Sequence, residues 1–200
     1  MKMNRLLIQK HNTAITSSVL VVIFLILGCS ITFSPPPKGP CPIETLLIDK
    51  TSLPEKIYYE TGSRSTDDAP ARVGIERVGT SFASFDKGGV VHDVYRFINE
   101  VEAQQEYENV ATYYFINEKD RTEWQPPEEL SDLKLNADAY KVACSTILNV
   151  EPNVQVCQFV AQYGPYVTYL NVDMIALNHD DLANLVSDLD HKINLCLDEK

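Results

Sequence analysis

Five cysteines are the residues of this 200-residue chain whose type and spacing most readily allow chemistry. Cys29 follows the apolar run Val19–Leu27 and the small residue Gly28. The remaining four are an even number, as expected if they pair as disulfides in an oxidising compartment: Cys41, Cys144, Cys157 and Cys196. No two cysteines have the short C-x-x-C spacing of structural zinc sites, so the sequence predicts disulfides and no metal site.

The pairing of these cysteines follows from a predicted hairpin. If Tyr140–Leu148 and Val154–Ala161 fold back about Val150–Glu151, Cys144 lies opposite Cys157. Facing residues of a non-hydrogen-bonded pair have Cα atoms about 4.5 Å apart, which is within disulfide reach. Cys41 then pairs with Cys196. We favour this connectivity, and the other two that four cysteines allow stay open.

Histidines are the other candidates for chemistry, because imidazole titrates near neutral pH. The sequence contains no H-E-x-x-H, no G-x-S-x-G and no phosphate-binding or dinucleotide-binding glycine motif. His92 neighbours Asp93, but adjacent strand residues point to opposite faces. His179 precedes two aspartates at a predicted helix start, where capping is the commoner role. No catalytic residue or cofactor is therefore predicted, and a cell-surface hydrolase using His92 or His179 is the alternative hypothesis.

Tyr163 and Tyr166 are predicted as contacts for a ligand. They flank the turn Gly164-Pro165, so their rings are expected near the end of a sheet. Tyrosine is common both in half-buried strands and at binding surfaces. Packing within the sheet is the competing interpretation.

The N-terminal segment indicates where the protein resides. Lys2, Arg5 and Lys10 precede the nine apolar residues Val19–Leu27, a pattern typical of a secretory signal. A helix of nine residues covers about 14 Å, too little for a hydrocarbon core of about 30 Å. An uncleaved anchor spanning Ile15–Phe33 and plain secretion are the alternatives to a lipid anchor.

Ile26-Leu27-Gly28-Cys29 resembles the lipobox of bacterial lipoproteins, although Leu27 replaces the commoner small residue. The resemblance implies cleavage before Cys29, a lipid on its sulfur, and a membrane-anchored location in the cell envelope, facing outside the cytoplasm. Two or three acyl chains bind a membrane durably. The predicted organisation is a signal peptide over 1–28, a lipidated proline-rich tether over 29–42 and a globular domain over 43–200.

Charge limits the partners of the mature chain. Removing residues 1–28 takes away three of 17 basic residues and none of the 28 acidic ones, which leaves a net charge of −14. Nucleic acid requires positive surface, so it is excluded as a partner. The expected partners are the membrane, through the lipid on Cys29, and an envelope protein or a small ligand.

Hydrophobic periodicity predicts strands and two helices in the globular part. Asn99 and Glu102 are expected to cap a helix that ends near Ile116, and Thr61–Ala71 is expected to be an exposed loop. Leu182 begins an apolar stripe on a long final helix, capped by Asn178 or His179. The predicted strands are Ile57–Tyr59, Val73–Phe85, Val90–Asn99, Tyr140–Leu148, Val154–Ala161 and Tyr166–Val172.

This order of elements predicts an α+β fold, a single domain with an antiparallel sheet of five to six strands, a long C-terminal helix and a second helix packed on it. The order resembles the PsbP and LpqN-like sandwich of exported proteins. No function is inferred from this resemblance. The favoured hypothesis is a non-enzymatic binding or accessory domain held at the membrane.

Overall fold

Six antiparallel strands form one sheet in this computed structural model, which describes residues 40–54, 58–64, 74–84, 88–175 and 177–198. The strands are β1 Tyr58–Arg64, β2 Glu76–Ser84, β3 Gly89–Arg96, β4 Ala139–Ile147, β5 Val154–Tyr163 and β6 Tyr166–Asp173. Their spatial order is β1-β2-β3-β6-β5-β4. Two meanders of three strands are therefore joined where β3 pairs with β6. The predicted fold class is confirmed, and β6 lies inside the sheet as its apolar sequence requires.

Helices α1 (Glu100–Tyr113) and α2 (His179–Asp198) pack on opposite faces of the sheet. Consecutive residues of β5 show this, because Phe159 packs with the buried side of α2 and Val160 packs with Ala103 of α1. Neighbouring strand residues point to opposite faces. The domain thus has two hydrophobic cores, one on each side of the sheet.

The final helix is the element that the sequence defines best. The predicted stripe runs from Leu182 to Leu197, and all but its last residue are buried: Leu182, Leu185, Val186, Leu189 and Ile193. Leu197 is half-buried and packs against the core. Asn178 is the N-cap, since its Oδ1 accepts from the backbone N–H of Asp181 at 2.8 Å. The Asp181 carboxylate accepts in return from the backbone N–H of Asn178 at 3.0 Å. This reciprocal pair satisfies two backbone donors that the first turn leaves free.

Helix α1 begins as predicted and ends early. The Asn99 side chain accepts from the backbone N–H of Glu102 at 2.9 Å, which confirms the cap. The helix stops at Tyr113, three residues before the expected end, and Tyr114 is its C-cap. Tyr114 then stacks on Tyr169 of the sheet with ring centroids 4.2 Å apart.

One segment differs from its prediction. The predicted loop Thr61–Ala71 is wrong at its start, because Thr61–Arg64 continues β1. Backbone pairing with Gly79–Ser81 of β2 outweighs the weak strand preference of these polar residues. Residues 43–46 form a 3-10 helix, as do residues 50–52. A further 3-10 helix, Glu128–Leu130, follows Pro127.

Both disulfides favoured from the sequence are present. Cys144 faces Cys157 in the register of β4 and β5, with Cα atoms 4.0 Å apart. Cys41 joins Cys196 near the end of α2, with Cα atoms 5.8 Å apart. The described residues belong to one compact unit, Pro36–Lys200. Within them, neither helix combines the length and the apolar character that a membrane span needs.

Candidate functional site

A pocket of about 550 Å³ lies beside the Cys144–Cys157 disulfide. It is formed by three parts of the chain: the segment 122–129, the β4–β5 hairpin and the first residue of α2. Cys144 contributes to its wall, and Gln155 and His179 lie on the same wall. Glu123, Glu128 and Glu129 also line the pocket, which gives it an acidic rim.

The outer wall of the pocket is held by backbone hydrogen bonds to the edge strand β4. Gln125 and Cys144 exchange two such bonds, of 2.9 and 2.8 Å, and Thr122 donates its N–H to the Thr146 carbonyl at 2.9 Å. The segment 121–125 therefore acts as a short additional strand on the sheet edge. Covering an edge in this way also protects it from pairing with other chains.

His179 is the titratable side chain that projects into the pocket from α2. Its Nδ1 lies 3.0 Å from the Glu129 carboxylate, and its Nε2 lies 3.1 Å from Oε1 of Gln155. A carboxylate accepts hydrogen bonds, so Nδ1 of His179 carries the proton that it donates to Glu129. The pKa of Glu129 is lowered, first by its own backbone N–H and then by the bond to His179. The ring is thus fixed between two segments of the pocket wall.

Cysteine sulfurs complete a cluster around this ring. The Sγ atoms of Cys144 and Cys157 and a ring nitrogen of His179 all lie within 4.8 Å of one another. Sulfurs bonded to each other offer no thiolate ligands, so the oxidised cluster does not match a thiolate metal site. Its chemistry is that of a disulfide with an imidazole at its side.

Ser145 also lines the pocket, but it does not form a catalytic dyad with His179. Its hydroxyl donates to the Thr122 carbonyl at 2.6 Å. Ser145 is adjacent to Cys144 in β4, so its side chain leaves the opposite face of the sheet from the disulfide. The Nε2 of His179 is already paired with Gln155. A nucleophile activated by this imidazole is therefore not assembled here.

His92, the other histidine of the hydrolase hypothesis, is fully buried in the sheet. Its Nδ1 accepts from the backbone N–H of Ile48 at 3.1 Å, so the proton lies on Nε2, which faces Thr168 Oγ1 at 2.7 Å. Burial, together with the positive charge of Lys192, lowers the pKa of His92 from 6.5 to about 3. This neutral imidazole joins the segment around Ile48 to the sheet and has no access to solvent. The third histidine, His191, is exposed on α2.

Tyr163 and Tyr166, predicted as ligand contacts, lie in the hydrophobic core beneath α2. Their exposed fractions are 1% and 0%, so neither ring presents a surface to a ligand. The turn between them places Gly164 at φ +52°, a conformation that favours glycine. Both tyrosines therefore pack within the core, which was the competing interpretation of their role.

A buried ion pair on the α1 side of the sheet escaped the sequence analysis. Arg77 lies 3.1 Å from Asp93, and both side chains are at most 8% exposed. The guanidinium also stands 5.2 Å from the centre of the Tyr95 ring. Strand alternation places Asp93 and Tyr95 on one face of β3. A charged residue on a face of apolar and aromatic side chains was the sequence feature that could have predicted the ion pair. Gly79 faces Asp93, leaving room for the carboxylate.

Cys29 and the tether up to residue 39 lie outside the described residues. Cys41 and Pro42, at the end of the predicted tether, are described, and Cys41 packs against the core through its bond to Cys196.

Comparison with known proteins identifies a shared fold but no family. No protein-family model matches the chain, and no curated protein matches it. Among solved structures, the extracellular domain of PknH from Mycobacterium tuberculosis is similar, with a TM-score of 0.55 over 80% of this chain and 100% of that domain. The two sequences are 9% identical, so the likeness is one of fold. The chain is thus an α+β domain that shares the fold of this extracellular domain.

Proposed function

We propose that the chain is an extracytoplasmic lipoprotein whose domain binds a small ligand or an envelope protein and performs no catalysis. The observation that carries the proposal is the pairing of all four cysteines after Cys29 in two disulfides. Such bonds persist in oxidising compartments and are rare in the cytosol.

Two further facts support the extracytoplasmic location. Ile26-Leu27-Gly28-Cys29 resembles a lipid-attachment site except at Leu27, and lipidation there would place an acyl chain on Cys29. The similar solved structure is described as an extracellular domain. The acidic charge of the chain, −11 overall, disfavours nucleic acid as a partner.

The binding role rests on the pocket and on the state of the histidines. The pocket offers carboxylates and one imidazole on a rigid wall, which are groups that recognise polar ligands. His92 is buried and neutral, and His179 is held by Glu129 and Gln155. The hydroxyl that His92 faces, that of Thr168, is fully buried with it, and the groups paired with His179 are a carboxylate and an amide.

Metabolic labelling with palmitate tests the anchor directly. The wild-type chain should take up label and sediment with membranes, whereas Cys29→Ser should remain unlabelled and unprocessed. Cys41→Ser is the matched control, since it removes a different sulfur and should leave labelling unchanged. Unlabelled wild-type protein recovered from the cytosol with free thiols would refute the proposal.

Capture of partners tests the binding role. Crosslinking on intact cells should retain a partner or ligand with the wild-type domain, and a Glu129→Gln, His179→Gln double variant should lose it. A variant that retains the same capture would show that the pocket is not the binding site.

A further inference from the structure

We propose that the Cys144–Cys157 disulfide is a thiol-exchange site, opened by a small thiol that enters the pocket beside it. The inference goes beyond the proposed function, because it assigns a reaction to the pocket. Cys144 lines the pocket, whereas Cys157 is 0% exposed and does not line it. The two cysteines are therefore not equivalent: Cys144, 6% exposed, is the one that an entering thiol can reach from the pocket, and Cys157 is enclosed by the core.

The attack follows from this asymmetry. The thiolate of the entering molecule bonds to Cys144 Sγ, the disulfide breaks, and Cys157 leaves as a thiolate. A second thiol then attacks the mixed disulfide at the sulfur of the first, which releases a small-molecule disulfide and leaves Cys144 reduced. Two thiols are oxidised and one protein disulfide is reduced, so electrons and atoms balance. The protons of the two thiols pass to Cys144 and Cys157.

His179 is the group that would assist the step as a positioning and charge-stabilising residue. A ring nitrogen lies within 4.8 Å of both sulfurs, close enough for a protonated ring to stabilise the departing thiolate. Glu129 accepts from Nδ1 and so fixes the orientation of the ring. A leaving thiol of lower pKa departs faster, which is how the imidazole would accelerate exchange.

The rim defines the class of thiol. Glu123, Glu128 and Glu129 line the pocket, and His179 is the one side chain among its described lining residues that can carry positive charge. Coulomb repulsion disfavours anionic thiols, while a thiol that carries an ammonium group is attracted. We therefore infer that cationic or neutral thiols open the bond and that carboxylate-bearing thiols are disfavoured.

The second disulfide provides a comparison within the same molecule. Exposure does not distinguish the two disulfides, because Cys144 and Cys196 are each 6% exposed and Cys41 is half-buried; neither Cys41 nor Cys196, however, lines the pocket. Within the described residues, no histidine or carboxylate forms a comparable three-residue cluster with that pair. Its exchange should therefore be slow while the domain stays folded.

The experiment uses the folded, oxidised domain and 2-aminoethanethiol, with mercaptoacetate as the anionic probe. Samples are quenched with acid and alkylated, and the labelled cysteines are identified by peptide mass. Label should enter Cys144 and Cys157 at least about tenfold faster than Cys41 and Cys196, and the mixed disulfide should form on Cys144. The anionic thiol should react about tenfold more slowly at low salt. Equal rates at the two disulfides, or opening only as circular dichroism reports unfolding, would overturn the proposal.

Variants separate the proposal from simple accessibility. His179→Gln should slow opening about tenfold, whereas His191→Gln, on the exposed side of the same helix, should leave the rate unchanged. Cys157→Ser should leave Cys144 able to form a stable mixed disulfide, and Cys144→Ser should leave Cys157 unreactive in the folded domain. A rate unchanged by His179→Gln, or a more reactive Cys157, would refute the assigned roles.

Discussion

Buried His92 makes a quantitative prediction about acid stability. Its folded pKa is about 3, against 6.5 for an ordinary histidine. A depressed folded pKa means that the unfolded chain binds a proton more readily than the native domain. The stabilisation is therefore complete above about pH 6.5, and it falls as the pH drops from 6.5 toward 3.

The magnitude follows from the free energy of one proton. At about 1.36 kcal/mol per tenfold change in affinity, the full effect is about 5 kcal/mol, and the part lost between pH 7.5 and 4.5 is about 3 kcal/mol. A domain of this size has a urea slope of about 2 kcal/mol/M. The unfolding midpoint should thus fall by about 1 to 1.5 M from this one residue.

The test compares the wild type with His92→Gln. Glutamine can accept from the Ile48 N–H and donate to Thr168, so it keeps the two polar contacts of the imidazole without a titrating group. Urea unfolding is followed by circular dichroism at pH 7.5, 6.0 and 4.5. The carboxylates titrate in both proteins, so their contribution cancels in the difference between the two free energies of unfolding. His191→Gln controls for loss of an exposed histidine.

The variant should lose about 3 kcal/mol less than the wild type between pH 7.5 and 4.5. Parallel pH curves for the two proteins would contradict the reasoning, because they would mean that His92 binds its proton equally in both states.

Three other changes have effects set by the structure, each measured as a free energy of urea unfolding. Gly79→Ala would place a methyl group on the Asp93 carboxylate and disrupt its ion pair, at a cost of about 3 kcal/mol; a neutral outcome would show that the pair moves freely. Asn178→Ala should cost about 1 kcal/mol by removing the cap of α2, and Asn178→Asp, which keeps an acceptor, should cost little. Replacing Cys144 and Cys157 by serine opens a loop with a separation of 13 residues and should cost about 3 kcal/mol, with an unchanged midpoint counting against it.

Local chemistry in the sequence was sufficient to predict where the two helices begin and how one hairpin pairs. Asn99 and Asn178 begin helices because their side chains accept from backbone N–H groups three residues later. The hairpin register followed from symmetry about Val150–Glu151, which also aligned Cys144 with Cys157.

The sheet order and the pocket depend on contacts between distant residues, which periodicity does not encode. The pairing of β3 with β6 joins two meanders separated by α1 and a long connection. His179, Glu129 and Gln155 come from three separate segments, so no short motif marks their meeting. The burial of Tyr163 and Tyr166 likewise depends on where α2 lies.

The bond between Cys41 and Cys196 has a mechanical consequence. Tension that arrives at Cys41 from the preceding chain passes across this bond into the last residues of α2. The loop closed by the two cysteines, which are 155 positions apart, lies outside its path. Stretching the domain between Cys41 and Cys196 would therefore leave this loop unloaded. Cutting that single covalent link would add roughly 500 Å of extensible chain, which a single-molecule pulling trace would register as one long step.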